Sequence, residues 1–290
     1  MVTRFPPEPS GYLHIGHCKA ALLNYHYAKM YKGSMILRFD DTNPIKEKNE
    51  YVEAIIEDLK TLGISHSKLT YTSDYFDKIF ELLRELIGKG LAYVDNTPVE
   101  QMREQRLNKV ESACRNFSVE KNLTIFDQIL VGEANDYCVR AKINMSSDNG
   151  CMRDPVLART SNVPHHRTGT KFKAYPTYDF ACPIVDSLEG VTHVLRTNEY
   201  ADRIPQFFWV LGALGWPKLE IYEYSRLNLV HTCLSKRKLT WFVDTGRVEG
   251  WDDPRFPTLR GVLRKGIRVE TLIEFMHEQG PSKRSNLMEW

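Results

Sequence analysis

Two short stretches carry residue types suited to handling phosphate. The first is His14-Ile15-Gly16-His17, which follows a strand-like run at residues 2–5 and the Pro/Gly-rich loop Pro6-Pro7-Glu8-Pro9-Ser10-Gly11. Histidines three apart at a helix start share nearly the same face. Gly16 between them has no side chain, so a flat base can lie against the backbone. Free N–H groups at a helix N-terminus and two imidazoles together favour phosphate. Imidazoles that donate to a phosphorus centre stabilise charge that grows in the transition state. The second stretch is Leu234-Ser235-Lys236-Arg237-Lys238, a loop far downstream. Alone, such a cluster is a solvated basic patch. Opposite the first site, Lys236 can reach the β- and γ-phosphates of ATP and hold the leaving pyrophosphate, on a loop that closes over nucleotide. The pair predicts adenylate-forming chemistry on ATP.

The elements that must position these residues alternate. After the strand at 2–5, residues 14–32 favour helix, with Gly33 as its C′ residue. A buried strand at 35–39 ends in Asp40-Asp41-Thr42, and helices follow at 46–62 and from an N-cap at Ser73 to about Gly88. Strand, helix, strand, helix predicts a doubly wound parallel sheet, where ligands bind at the carboxyl ends of strands. Between about 92 and 175 the rhythm breaks into a helix at 98–107, polar segments and a strand candidate at 138–143. It returns with a strand at 191–196 and a helix to Leu214. The chain therefore reads as an α/β, Rossmann-like fold split by an α+β insertion and followed by a small helical subdomain. The expected units are 1–90, the first half of the catalytic fold; 91–175, the insertion; 176–240, the second half with the lysine loop; and 241–290, helical.

The 290 residues are 42% hydrophobic and carry a net charge of +2. That suits a large apolar core, and the charge neither demands nor excludes a polyanionic partner. No cysteine pair or Cys/His cluster has zinc-ligand spacing, so no structural zinc and no protein-bound metal are expected. Neither a signal peptide nor a membrane-spanning apolar run is present, which points to the cytoplasm and to no membrane partner. The chain enters a strand at once and stops at Glu289-Trp290 without a polar tail, as a piece of a longer protein would.

The two motifs, in this order, resemble the His-Ile-Gly-His and Lys-Met-Ser-Lys-Ser signatures of class I aminoacyl-tRNA synthetases. The second stands here as Cys233-Leu234-Ser235-Lys236-Arg237, which departs at three of five positions but keeps the serine and the lysine. The runs from Arg4 to His17, Arg38 to Pro44, Tyr175 to Phe180 and Trp251 to Pro257 are similar to the glutamyl/glutaminyl branch, its eukaryotic and archaeal members above all. The resemblance implies ATP with Mg2+ as cosubstrate. It implies L-glutamate and tRNA-Glu as substrates, an acceptor-binding role for the insertion, and an anticodon-binding domain that lies outside these residues. It also allows membership of a multi-synthetase complex through regions outside the chain.

A glutamate side chain needs a buried cation where glutamine does not. Leu195-Arg196-Thr197-Asn198-Glu199-Tyr200 resembles the glutamyl version, with Arg196 as that cation in a bidentate pair. The resemblance further implies Arg4, Glu8 and Tyr178 beside Arg196, and Asp40 on the α-ammonium group. It implies His14, His17 and Lys236 as the catalytic groups. Pro7, Gly16, Glu199, Leu227, Asn228, Leu229, Leu234, Ser235, Lys236 and Arg237 fall at the ATP. Arg140 and Lys142, alternating on one strand face, are candidates for tRNA phosphates, with Arg153, Arg159, Arg167, His165 and His166 adding polar groups. The rivals are a glutaminyl enzyme, a nucleoside-modifying glutamyl transferase, another nucleotidyltransferase of the same fold, and a tRNA-binding scaffold without catalysis.

Overall fold

The computed structural model describes residues 1–289. The chain begins β1 (Val2–Phe5), α1 (Ile15–Met30), β2 (Ser34–Phe39), α2 (Asn49–Thr61), β3 (Lys68–Tyr71), α3 (Phe76–Gly88). β1, β2 and β3 pair in parallel in that order, with Phe5 opposite Leu37 and Phe39 opposite Tyr71. Met35, Ile36, Leu37 and Phe39 of β2 are all buried, as a parallel strand covered on both faces requires.

The chain then builds β4 (Ala92–Asp95), α4 (Val99–Leu107), α5 (Val119–Val131), β5 (Cys138–Ala141), β6 (Val156–Thr160) and β7 (Ala174–Pro176). These four strands form an antiparallel sheet in sequence order. Next come α6 (Tyr178–Leu188), β8 (His193–Thr197), α7 (Ile204–Leu214) and β9 (Glu220–Tyr224), with β8 and β9 parallel. β8 runs beside β1, where the Thr192 N–H donates to the Val2 carbonyl at 3.0 Å. The chain continues through β10 (Asn228–Leu229), α8 (Lys236–Asp244), α9 (Leu259–Arg264), α10 (Val269–Gln279) and β11 (Leu287–Met288). The fold is thus mixed α/β with parallel strands at its centre.

Packing joins segments that the sequence reading separated. One core holds Phe76 and Leu83 of α3, Phe126 of α5, Val139 and Leu157 of the antiparallel sheet, Ile184 of α6 and Val210 of α7. A second holds Leu13, Ile15, Leu37 and Ile55 with Leu259, Val262, Leu272 and Met276 of the last two helices. α9 and α10 therefore pack on the amino-terminal elements and bury no separate core. Each fully buried side chain of this kind contributes about 1.5–3 kcal/mol.

Three local expectations are corrected. Ser73 does not cap α3. It lies in a 3-10 turn, Thr72–Tyr75, because its N–H and hydroxyl both donate to the Asp41 carboxylate, at 2.8 and 2.6 Å. Lys32, at φ 50°, makes the left-handed turn after α1. Gly33 is required for close approach instead, since a Cβ there would fall 1.7 Å from the Met1 carbonyl oxygen. The strand at 138 ends at Ala141, which leaves Lys142 outside it.

Candidate active site

The carboxyl ends of β1, β2 and β8 open onto a cleft of about 600 Å³, a size usual for small-ligand sites. Pro7, Glu8, His17, Asp40, Tyr178, Arg196 and Lys236 line it together, although they come from five separate stretches of sequence.

His14 is the N-cap of α1, and its Nδ1 accepts the Gly16 N–H at 3.1 Å. His17 Nδ1 accepts the His14 N–H at 3.2 Å. The two imidazoles thus cap the helix reciprocally and stack with ring centroids 3.7 Å apart. A neutral imidazole has one N–H, and both Nδ1 atoms are acceptors, so both protons are assigned to Nε2. Burial, reinforced by the cations of Lys236 and Arg226, pushes His14 down to about 3. Burial, then His14, Lys236 and Arg226, hold His17 well below the usual histidine range. At neutral pH the pair therefore presents two uncharged N–H donors. Gly16 serves this geometry directly: a Cβ would sit 3.0 Å from His14 Cε1.

Lys236 is the first residue of α8, so the basic stretch opens a helix and does not remain a loop throughout. Its ammonium donates to the Glu8 carbonyl at 3.2 Å and the Ser10 hydroxyl at 3.3 Å. Ser10 in turn donates to the Glu8 carboxylate at 2.8 Å. Burial lowers the lysine pKa. The second motif is therefore docked on the first loop, with its cation beside His17.

The far end of the cleft is cationic in a different way. Arg196 is 6% exposed, and among the described residues it forms no ion pair within 4.0 Å. Its Nη2 donates to the Tyr178 hydroxyl at 3.4 Å, its buried Nε has no partner, and the rings of Tyr200 and Phe207 lie 4.8 and 5.5 Å from its guanidinium carbon. Asp40, just past β2, accepts from the Thr72 hydroxyl at 3.5 Å. Burial pushes Asp40 up to about 7, with Asp41 and Glu8 adding to the rise and Arg38 opposing it. A half-buried acid and a buried cation without an ion pair among the described residues, across one cleft, suit an ammonium and a carboxylate of one ligand.

Arg4 lines the cleft and is also held inside the fold. Its Nε donates to Asp186 at 3.0 Å and its Nη1 to the Leu195 carbonyl at 3.2 Å. Asp186 also receives Arg38, whose Nη1 reaches Glu189 at 2.8 Å. Burial disfavours the Asp186 charge, but the two arginines outweigh it and hold this carboxyl below the usual range. Arg4 thus fixes the strand position next to Arg196.

The family profile for tRNA synthetases class I (E and Q), catalytic domain, matches residues 1–290. The chain belongs to this family. It is 57% identical over 289 residues to a cytoplasmic glutamate–tRNA ligase of Arabidopsis thaliana, covering 99% of the chain and 40% of that protein. It is 55% identical to the cytoplasmic glutamate–tRNA ligase of Saccharomyces cerevisiae, covering all of the chain and 41% of that relative. A bifunctional glutamate/proline–tRNA ligase of Cricetulus griseus is 58% identical, with 19% of its length covered. The chain thus spans less than half of the curated relatives it matches. A glutamate tRNA ligase structure from Elizabethkingia meningosepticum shares the fold, with TM-score 0.62 at 22% identity over 83% of this chain and 53% of that one.

In this synthetase catalytic domain other expected residues lie further out. Glu199 is exposed and accepts from Arg226 at 2.8 Å. Leu227 and Leu229 are buried in the second core, and Asn228 and Leu229 pair in parallel with Leu287 and Met288 of β11. Leu234 is buried, whereas Ser235 and Arg237 are exposed; none of the three lines the cleft.

Arg140 cannot meet a tRNA phosphate. It is fully buried and donates to Asp95 at 2.6 Å and to the Asp154 carbonyl at 2.8 Å, because its side chain faces the interior of the antiparallel sheet. Arg153 is spent on the Ser147 and Arg106 carbonyls, and Arg167 on Ser73 and Asp74. Lys142 stays half-exposed, with a 3.4 Å bond to Asn116. Arg159 is exposed and lines the cleft itself. Sequence reasoning missed Asn43, Asp179, Tyr200 and Arg203 as cleft residues. Tyr200 lies four residues after Arg196 in the sequence, and its ring is an ordinary partner for a buried guanidinium.

Proposed function

We propose that the chain is the catalytic part of a cytoplasmic glutamate–tRNA ligase acting on L-glutamate, Mg-ATP and tRNA-Glu. The observation that carries the choice of glutamate is Arg196, a buried cation that touches a tyrosine hydroxyl and aromatic rings but, among the described residues, no carboxylate within 4.0 Å. A glutamate side-chain carboxylate supplies the missing charge; a glutamine carboxamide leaves it unmet.

In this reading the glutamate α-ammonium lies at Asp40. The α-carboxylate attacks the α-phosphorus of ATP, the bond from that phosphorus to the bridging oxygen breaks, and pyrophosphate leaves. The Nε2–H groups of His14 and His17 and the Lys236 ammonium meet the growing negative charge, so catalysis rests on alignment and electrostatics and needs no protein nucleophile. Mg2+ enters with the phosphates of ATP. The 2′-hydroxyl of the terminal adenosine of tRNA then attacks the adenylate carbonyl and releases AMP. Residues 91–175 would hold the acceptor end, through Lys142 and Arg159 and no longer through Arg140. Residues 241–290 would lead on to an anticodon reader.

The test is tRNA-dependent pyrophosphate exchange by the full-length protein, with glutamate and glutamine compared side by side. Exchange driven by glutamate alone is expected. Equal or preferential exchange with glutamine would overturn the reading in favour of a glutaminyl enzyme, and no exchange with either would favour an inactive scaffold.

A further inference from the structure

Asp40 stands directly after β2, and the hydrogen bond to its side chain is long. The carboxylate accepts from the Thr72 hydroxyl at 3.5 Å, beyond the usual range for an O–H···O bond. The backbone on either side is held better. The Asp40 N–H donates to the Pro7 carbonyl at 3.0 Å. The carbonyl of the following residue, Asp41, accepts from His165 Nε2 at 2.8 Å. The Asp41 carboxylate accepts the Ser73 N–H and hydroxyl at 2.8 and 2.6 Å. A strand end held in this way presents Asp40 to the cleft at a set angle.

His165 belongs to the turn between β6 and β7, 124 residues from Asp41. It is 2% exposed, which removes it from the tRNA phosphates expected of it. Its Nδ1 accepts the N–H groups of Arg167 and Thr168, both at 3.2 Å. Burial holds it below the usual histidine range, so the ring is neutral at neutral pH. Its one proton lies on Nε2, aimed at the Asp41 carbonyl. The ring stacks on Tyr175 with centroids 5.8 Å apart and makes an edge contact with Phe76 at 5.7 Å. His165 and Gly169 exchange both backbone hydrogen bonds, each at 2.9 Å. The neighbours of His165 tie the turn down separately. Arg167 donates to the Ser73 hydroxyl at 2.7 Å and to Asp74 at 2.8 Å, and His166 Nδ1 lies 2.8 Å from the Asn49 side-chain oxygen. These ties hold the turn against the first part of the chain independently of the bond from His165 to Asp41.

We propose that His165 is a positioning residue for the amino-acid pocket: its Nε2–H holds the Asp41 carbonyl and thereby fixes the Asp40 carboxylate against the substrate ammonium, a role that rests on the assignment of that ammonium to Asp40. The phosphates of ATP meet His14, His17 and Lys236 in the same assignment, so the bond bears on glutamate and not on nucleotide. One buried ring of the antiparallel sheet region thus helps to shape a pocket built at the ends of the parallel strands. A histidine that merely filled space would lower stability when replaced, without distinguishing one substrate from the other.

Two substitutions separate the two ring nitrogens. His165→Asn keeps an acceptor near Nδ1 for the N–H groups of the turn and loses the donor to Asp41. His165→Gln brings an amide N–H near Nε2 and restores that donor. The assay is tRNA-dependent pyrophosphate exchange by the full-length protein, giving kcat and KM for glutamate and for ATP, with a thermal melt of each preparation. His165→Asn should raise KM for glutamate by about threefold to tenfold, the range set by one lost hydrogen bond, with kcat and KM for ATP close to wild type. His165→Gln should bring KM for glutamate back towards the wild-type value. Asp40→Asn, run alongside, should raise KM for glutamate as well. If Asp40→Asn raises it and His165→Asn does not, the positioning role is overturned while the assignment of Asp40 stands. The role also falls if both His165 variants raise KM for both substrates in step with lost stability, or if neither variant folds. Unchanged KM for glutamate in Asp40→Asn overturns the assignment of Asp40 and the positioning role with it.

Discussion

Arg196→Gln separates a substrate-binding arginine from a merely structural one. Arg196 is 6% exposed, so solvent screens it little, and losing the cation leaves a bound glutamate carboxylate buried and unpaired. Breaking a buried pair by removing one partner costs about 3–5 kcal/mol. At about 1.4 kcal/mol per tenfold, kcat/KM for glutamate should fall between about a hundredfold and a few thousandfold. Protein stability should move much less, because two effects oppose. The variant loses the guanidinium over Tyr200 and Phe207, each contact contributing on the order of 0.5–2 kcal/mol. It also sheds a buried charge that forms no ion pair within 4.0 Å among the described residues. The assay is tRNA-dependent pyrophosphate exchange with glutamate and with glutamine, run beside a thermal melt of the same preparation. A selective loss with glutamate and a melt near that of the wild type is expected. A fall of less than tenfold, or a loss accompanied by a large drop in melting temperature, would refute the reasoning.

Other perturbations probe the remaining parts. Lys236→Ala should lower the exchange rate by about 10²–10³, the usual loss for one preorganised charge donor, with an unchanged circular-dichroism melt. Gly16→Ala places a methyl group 3.0 Å from His14 Cε1, and should lower kcat more than it raises KM for glutamate, measured by steady-state exchange. Asp186→Asn removes the carboxylate partner of Arg4 and leaves Arg38 with Glu189 alone, and should destabilise the fold by about 3–5 kcal/mol in a urea titration. Asp40 is pushed up to about 7, so its ammonium-binding charge is lost as pH falls through that value. KM for glutamate should therefore rise below about pH 7, and Asp40→Asn should abolish that dependence while raising KM throughout. The two histidines shift the other way. Each is neutral in the fold and must lose protons that the unfolded chain binds, so their contribution to stability is complete above the ordinary histidine pKa and declines as pH falls below it. A pH series of urea melts checks that sign.

β2 was legible because Met35 to Phe39 form an apolar run bounded by helical patterns, and the motif histidines because they follow a strand and a Pro/Gly loop. The phosphate end of the site needed only local sequence: Gly16, His14 and His17 position one another within a single turn. The amino-acid end did not. How Arg4 is held depends on Asp186, which lies 182 residues away, and no pattern near Arg4 shows it. Arg140 failed for a related reason. Alternation places it on a strand face, but not whether that face looks outward, and the face turned inward onto Asp95. β3 and β9 were missed because their outward residues are polar and exposed, as in Lys68, Glu220 and Tyr222, so neither shows a continuous apolar run.

Lys236 and Glu8 touch across 228 residues, and α9 and α10 fill the core that Leu13, Ile15 and Leu37 begin. This long-range closure has a consequence for biosynthesis. A chain emerging from the ribosome makes both histidines and most of the central strands while the helices that cover them are still untranslated. Loop closure over such separations is slow, and the waiting half shows an apolar face that invites association with other chains. Stopping translation before α9 would thus give a sticky, incomplete body in which Leu13 and Ile15 lack the cover of α9 and α10.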